Sequence, residues 1–366
     1  VFVLANTQFG VNHPLAVKLF SKKLFYEALK ATWFKKFLGK SSDSVIQLNP
    51  ELKNTGDKLT YGLRMLLSGD GVQGDATLEG NEEALTFYSD SILLNQLRHA
   101  VRSDGKMSEQ RVPYSMREEA RQGLSDWLAD RLDASFMNQI AGNTNQSDTK
   151  FSGNNSTSAP DNDHWLLATG VAGTDNESSL SASSVFSLTL IDKAVVKAKT
   201  ISPEIRPIKI NGEDKLVMFI HPYQHFQLRT NTNTAQYMDI QKAAIQGGQI
   251  SKNPIYTGAI AEYNGVILHE SVRVPWGDAA TQSLARVDTD LGVSNVARAI
   301  VCGAQAGCLC TGRQTSEGLD STWREELFDY GNQLGVAGGL IYGLKKSVFN
   351  DDDFATIAVS TYSPAP

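Results

Sequence analysis

The sequence predicts an α+β fold in two lobes, on three observations. Residues 113–141 carry a single long helical signature. The strand-like runs elsewhere do not alternate with helices as a doubly wound sheet requires. The 366 residues also exceed what one hydrophobic core encloses, since single cores stop growing at about 250 to 300 residues.

From the amino end, Leu15, Leu19, Phe20, Leu24, Phe25, Ala28, Leu29, Phe34, Phe37 and Leu38 recur three and four apart with lysines between them, the pattern of one amphipathic helix or two short ones. Residues 11–40 hold seven lysines against one glutamate, so this segment carries +6 and the remainder of a chain of net charge −6 carries −12. A basic arm of this kind lies on an acidic membrane or packs on a partner subunit or its own body; packing is the expectation, with no membrane partner.

Next, "GDKLTYGLRMLL" and "EALTFYSDSILLNQLRHAVRS" bracket an acidic, glycine-rich stretch, and two extended arms about such a tip predict a long hairpin. Neither arm alternates cleanly and a lone hairpin is marginal in water, so its packing surface is expected on another chain. Within Ser68–Gly80, "SGDGVQGDATLEG", Gly69, Gly71 and Gly74 have G-x-G-x-x-G spacing. In dinucleotide sites that spacing opens a helix whose N–H groups meet a pyrophosphate. Here Asp75, Glu79, Glu82 and Glu83 follow instead of an apolar helix face, and their charge repels phosphate. The segment reads as a glycine turn, and no cofactor is expected.

After Pro113, Ser115-Met116-Arg117-Glu118 is a capping box. Met116, Ala120, Leu124, Trp127, Leu128, Leu132, Phe136 and Ile140 form one stripe, with Arg117, Glu118, Asp126, Asp130 and Asp133 off it, and Gly142 ends the helix. Residues 143–185 are crowded with Asn, Ser, Thr, Gly and Asp around "HWLLATGVAG" and read as an irregular surface excursion. "SLTLIDKAVVKAKTI" resumes a helix, and "KLVMFIHPYQHFQLR" is strand followed by turn or helix. "EYNGVILHESVRVP" and "ARAIVCGAQAGCLC" are strands, and "LGVAGGLIYGLKKSVF" with "FATIAVSTY" predicts a closing hairpin.

No pattern of catalytic chemistry emerges. His221 and His225, four apart, with His269-Glu270, lack a defined third and fourth zinc ligand, and Pro222 makes the first pair a helix beginning rather than an interior turn. Cys302, Cys308 and Cys310 have no metal-ligand spacing and sit in an apolar run, as core residues of a chain made in a reducing cytoplasm do. Arg324-Glu325-Glu326 with Asp329 reads as a solvated or inter-subunit face. No apolar stretch is long enough to span a membrane, and the acidic balance argues against a nucleic-acid binder working through a basic face.

The order of parts resembles a tailed-phage major capsid protein of the HK97 fold. More narrowly, "LANTQFGVNHPLAVKLFSKKLF", "GDATLEGNEEAL", "LRHAVRSDGKMSEQRVPYSMREEAR", "RPIKINGEDKLVMFIHPYQ", "QKAAIQGGQISKNPIYTGAIAEYNGVILHE" and "EELFDYGNQLGVAGGLIYGLKK" are similar to the N4-type major capsid protein family, over nearly the whole chain. The resemblance implies an N-terminal arm (1–54), an E-loop (55–105), a P-domain (106–199) with its spine helix at 113–141 and the insert at 143–185, an A-domain (200–325), and a return to the P-domain (326–366). It implies a non-enzymatic subunit, without catalytic, cofactor or metal residues, that builds an icosahedral virion shell in the bacterial host's cytoplasm. Its partners would be its own copies in hexamers and pentamers, a portal protein, scaffolding and decoration proteins in some systems, and packaged double-stranded DNA through weak, non-specific contact. Two other readings stand beside it: an encapsulin-like compartment shell, and a soluble enzyme with an unrecognised site.

Some shells of this fold are joined by an isopeptide bond from an E-loop lysine to a neighbour's asparagine. This chain has no lysine between Lys58 and Lys106, so a shell without such crosslinks is expected. The charge split places Asp70, Asp75, Glu79, Glu82 and Glu83 of the tip near basic surface of an adjacent subunit, with Lys18, Lys22, Lys23, Lys35 and Lys36 of the arm as candidates. Exposed pairs of this kind are worth about 0 to 1 kcal/mol each, and they register assembly more than they stabilise it.

Overall fold

The computed structural model describes residues 24–366 apart from 25–26, 29–30, 53–56, 65–70, 76, 81, 83–86, 112, 114, 172–175, 203, 211, 231–260, 278–285 and 313–320. Strand β1 (Ile46–Leu52) leads to a hairpin, β2 (Lys58–Arg64) and β3 (Phe87–Leu93), and then to β4 (Asn95–Arg102). Helix α1 (Met116–Ala141) is followed by β5 (Trp165–Leu167), helix α2 (Leu188–Thr200), β6 (Glu213–Ile220) and helix α3 (Pro222–Thr230). The rest is strand: β7 (Val266–Glu270), β8 (Val296–Cys302), β9 (Gly307–Gly312), β10 (Ser321–Phe328), β11 (Gln333–Lys346), the small hairpin β12 (Val348–Phe349) and β13 (Asp352–Asp353), and β14 (Thr356–Tyr362). Among the described residues no helix is long and apolar enough to cross a membrane.

Two mixed sheets carry the core. The first runs Leu38–Gly39, β1, β9, β11, β10, with β4 also on β11; the second runs Ala261–Tyr263, β7, β6, β8, β14, β5, Gly170–Val171. Strands β8 and β9 are buried at every position, which is why "ARAIVCGAQAGCLC" shows no alternation. These two consecutive strands belong to different sheets, and so do β11 and β14. The expected closing hairpin is therefore not made: β11 pairs with β9, β10 and β4, whereas β14 pairs with β8 and β5. The two crossings run side by side, joined by Gly303 N–H to the Ala355 carbonyl (2.9 Å) and Ser347 N–H to the Ala306 carbonyl (3.1 Å).

Helix α1 has 26 residues, about 39 Å at 1.5 Å per residue, and contacts β11, β8 and β4. Its stripe of Ala120, Leu124, Leu128, Leu132, Phe136 and Ile140 is buried as expected. Gly338 of β11 lets the helix approach closely, because a Cβ there would lie 2.9 Å from Leu24 and 3.5 Å from Leu124. The capping box is not formed: Ser115 makes no side-chain cap, and Glu118 pairs instead with Arg121 at 3.0 Å. From Leu132 to Ala141 the helix is buried on all sides, so Asp133 is enclosed rather than solvated.

The stretch 143–185 is likewise no surface excursion. Asn143, Asn155, His164 and Glu177 are buried, and β5 enters the second sheet parallel to β14. Polar composition misleads here because these side chains replace backbone partners: Asn155 accepts from Leu93 N–H (2.8 Å) and donates to the carbonyls of Leu93 (3.0 Å) and Leu344 (3.2 Å).

Gly142 ends α1 in the left-handed region (φ 62°), with Asn143 N–H returning to the Asn138 carbonyl at 2.9 Å. A Cβ there would sit 2.6 Å from the Ser158 carbonyl oxygen. Gly142→Ala is expected to lower stability by about 2 kcal/mol or more, read from the midpoint of urea unfolding at unchanged slope.

Candidate inter-subunit contact site

The expected hairpin forms, with β2 and β3 antiparallel from Lys58↔Leu93 to Arg64↔Phe87. Its base is not waiting for another chain. Tyr61, Leu63 and Ile92 are buried in the protein's own core, and Tyr88 packs on Phe349 with ring centroids 5.0 Å apart. Asp90 fastens the base: its carboxylate pairs with Lys345 Nζ (2.5 Å) and accepts from the Tyr61 hydroxyl (3.3 Å) and the Val348 N–H (3.3 Å). Burial and the Asp90 charge both push the Tyr61 phenol up.

The tip differs from the base. Asp75, Glu79 and Glu82 are exposed, and Gly71, Gly74 and Gly80 take φ of 68°, 66° and 92°. A Cβ built on any of these three glycines meets nothing within 4 Å, so at these positions the tip has open space beside it. Glu82 turns its carboxylate back onto Gly80 N–H (2.7 Å). Asp70 and Glu83 lie outside the described residues.

The basic arm docks on its own body where it is described. Trp33–Phe37 form a 3-10 turn whose first N–H groups are capped from another element: Asp133 of α1 accepts from Trp33 N–H at 3.0 and 3.1 Å. Phe34 stacks on Phe136 (4.8 Å) and Phe37 meets Phe219 edge-on (5.0 Å). Glu27 pairs with Arg121. Lys36 is committed to this packing, its Nζ 3.3 Å from His269 Nδ1 and 5.0 Å from the Trp33 ring centre, and burial lowers its pKa. Lys35 is exposed, and Lys18, Lys22 and Lys23 lie outside the described residues.

The remaining candidates are structural. His221 precedes α3 and stacks on Trp276, with burial lowering its pKa to about 4, while His225 faces Glu270 at 2.6 Å. Among the described residues no group of three or more His, Cys, Asp or Glu side chains is placed to hold a metal. Cys302, Cys308 and Cys310 are buried, and burial raises the Cys302 and Cys310 thiols, the latter to about 11. Glu325 departs from its expected solvated setting: it is buried between Arg117 (2.7 Å) and the Trp323 indole N–H (2.9 Å), and only Arg324, Glu326 and Asp329 face solvent.

Comparison with known proteins places the chain in a family. Residues 8–365 match the model of the phage capsid protein family. The chain belongs to that family. It is 28% identical to the major capsid protein of Pseudomonas phage KPP25, over 93% of each chain. It is 32% identical to the capsid of Ralstonia phage GP4, covering 92% of both chains with a TM-score of 0.75. The cyanophage Pam1 capsid shares the fold at 18% identity and a TM-score of 0.68. The fold is HK97-like and the role is that of a tailed-phage major capsid protein, a structural shell component rather than an enzyme.

In this capsid protein Asp75, Glu79 and Glu82 lie between the two paired strands of the hairpin, and two aspartates that the sequence patterns leave unmarked anchor its base and the arm. Asp90 shares strand parity with Tyr88 and Ile92, and that alternation points it inward. Asp133 lies in "LDASFMNQIA", a run too apolar and small to leave a solvated face. Burial raises the Asp133 pKa to about 7 against the opposing hydrogen bonds of Trp33 and Phe34 N–H. The folded chain therefore holds this proton up to about pH 7, whereas an unfolded aspartate releases it near 4; the group's contribution to stability is complete below about pH 4 and is lost as pH rises through 7. Asp133→Asn keeps an acceptor for the arm without the charge, and relative to wild type its unfolding free energy is expected to lose this decline between pH 4 and 7, measured by urea titration at each pH.

Proposed function

We propose that this chain is an N4-type major capsid protein that self-assembles, without intermolecular covalent crosslinks, into the icosahedral shell around a tailed phage's double-stranded DNA. Residues 1–54 serve as the N-terminal arm, 55–105 as the E-loop, 106–199 with 326–366 as the P-domain, and 200–325 as the A-domain. The observation that carries this reading is the hairpin: its base is bolted into the subunit through Asp90, Tyr61 and Ile92, while Asp75, Glu79 and Glu82 of the charged tip are exposed to solvent. An anchored base with an exposed acidic end suits a clasp between copies in hexamers and pentamers.

The tip's counterpart is basic surface on the adjacent subunit, with Lys35 an exposed lysine of the arm and Lys18, Lys22 and Lys23 its companions. Lys36 is engaged within its own chain and is a weaker member of that set. The −12 carried outside residues 11–40 suits weak, non-specific contact with packaged DNA. Assembly in the host cytoplasm, with a portal protein and any scaffolding or decoration proteins, completes the reading.

One assembly assay tests it. The chain expressed alone is expected to yield closed megadalton particles by size exclusion and electron microscopy, with monomer bands and no ladder on a denaturing gel. Reversing the tip with Glu79→Lys and Glu82→Lys is expected to cut particle yield several-fold without lowering the subunit's unfolding midpoint. A persistent monomer contradicts the shell assignment, a ladder contradicts the uncrosslinked one, and undiminished yield in the reversed tip contradicts the clasp.

A further inference from the structure

A separate, intramolecular chemistry is built in where the two sheets meet. The register of β12 on β13 (Val348↔Asp353, Phe349↔Asp352) leaves Asn350 and Asp351 as the two turn residues, both at positive φ (48° and 68°), the turn type whose twist best matches a tight hairpin. Phe354 N–H donates to the Ser347 carbonyl at 3.1 Å, continuing the pairing inward. One further step sets Lys346 opposite Ala355, which makes Lys346 and Asp353 diagonal neighbours on one face, within reach of a long side chain.

The two side chains meet. Lys346 Nζ lies 2.5 Å from Asp353 Oδ1, with the side chains 2% and 3% exposed. Asp161 braces the acid from behind: its Oδ2 accepts from Asp353 N–H and from His164 Nδ1, each at 2.7 Å. Burial drives both partners toward neutrality. Desolvation lowers the Lys346 pKa despite the Asp353 charge, with Arg298 adding to the effect, and desolvation raises the Asp353 carboxyl, with Asp161 adding to it. An uncharged amine is a nucleophile, and a protonated carboxyl has water as its leaving group.

We propose that Lys346 and Asp353 condense spontaneously into an intramolecular isopeptide bond that makes the crossing between the sheets covalent. Lys346 Nζ attacks Asp353 Cγ; the Nζ–Cγ bond forms and the Cγ–OH bond breaks. The proton shed by nitrogen goes to the departing oxygen, which leaves as water. Nothing is oxidised or reduced, and no co-reactant is required. The bond closes within one chain, so it raises no ladder on a gel and is independent of how subunits are joined.

Mass spectrometry of the purified full chain decides the matter. The wild-type protein is expected about 18 Da below the mass of its sequence. Trypsin cannot cut after an acylated lysine, so the C-terminal peptide is expected to begin at Lys346 and run to Pro366, lighter by that same water. Lys346→Arg is expected at full mass. A wild-type chain at full mass overturns the proposal. Loss of water with normal cleavage after Lys346 also overturns it, because it marks ring closure at an aspartate alone. The wild-type peptide map gives the answer even if the variant does not fold.

Discussion

The bidentate pairing of Arg298 with Glu177 is the constraint on which the rest of the subunit depends. Arg298 Nε and Nη2 meet the two carboxylate oxygens at 2.8 and 2.7 Å, with both side chains under a tenth exposed. The remaining amino group donates to the carbonyls of Ala141 and Gly142 at 3.0 and 2.8 Å, which have no intrahelical partner at the end of α1. Ser360 of β14 donates to Glu177 at 2.5 Å, and the Trp165 ring of β5 covers the guanidinium at 5.3 Å. One charge pair thus joins the end of the long helix, the 143–185 stretch and three strands of the second sheet. A buried pair survives only if its remaining hydrogen-bonding capacity is met, and here each of those partners contributes to meeting it.

From that point the architecture grows outward in order of decreasing burial. The paired crossings at 303–306 and 347–355 tie one sheet to the other, α1 covers β11, and Asp90 and Asp133 fix the hairpin base and the arm to this frame. Asp75, Glu79 and Glu82 of the acidic tip are exposed beyond it. The proposed clasp would draw on this division, because charge on an anchored hairpin gives register and specificity more than affinity.

Much of the fold was legible because local signals and tertiary packing agreed. The stripe from Ala120 to Ile140 and the stop at Gly142 defined α1, and the glycines between two extended runs defined the hairpin. The illegible parts share one cause: polar residues working as internal struts read as surface. Asn155, Glu177 and Asp133 each satisfy backbone groups or a buried charge far along the chain, at separations of 62, 121 and 100 residues, and no short window contains both partners. The misplaced closing hairpin has a related origin, since "NDDD" reads as the turn between two long arms, whereas Val348–Asp353 holds a small hairpin of its own that carries the chain between sheets. For the tip, charge and glycine content are legible in the sequence, and any partner surface for it is a property of two chains.

The central claim, that the Arg298–Glu177 pair organises the fold, is tested most directly by a double-mutant cycle on unfolding free energy with Arg298→Met, Glu177→Leu and the pair. Each single replacement strands a buried charge and is expected to cost about 3–5 kcal/mol. The double variant is expected to lose less than the sum by about 1–3 kcal/mol. Single losses below about 1 kcal/mol, or losses that add within about 0.5 kcal/mol, contradict the account.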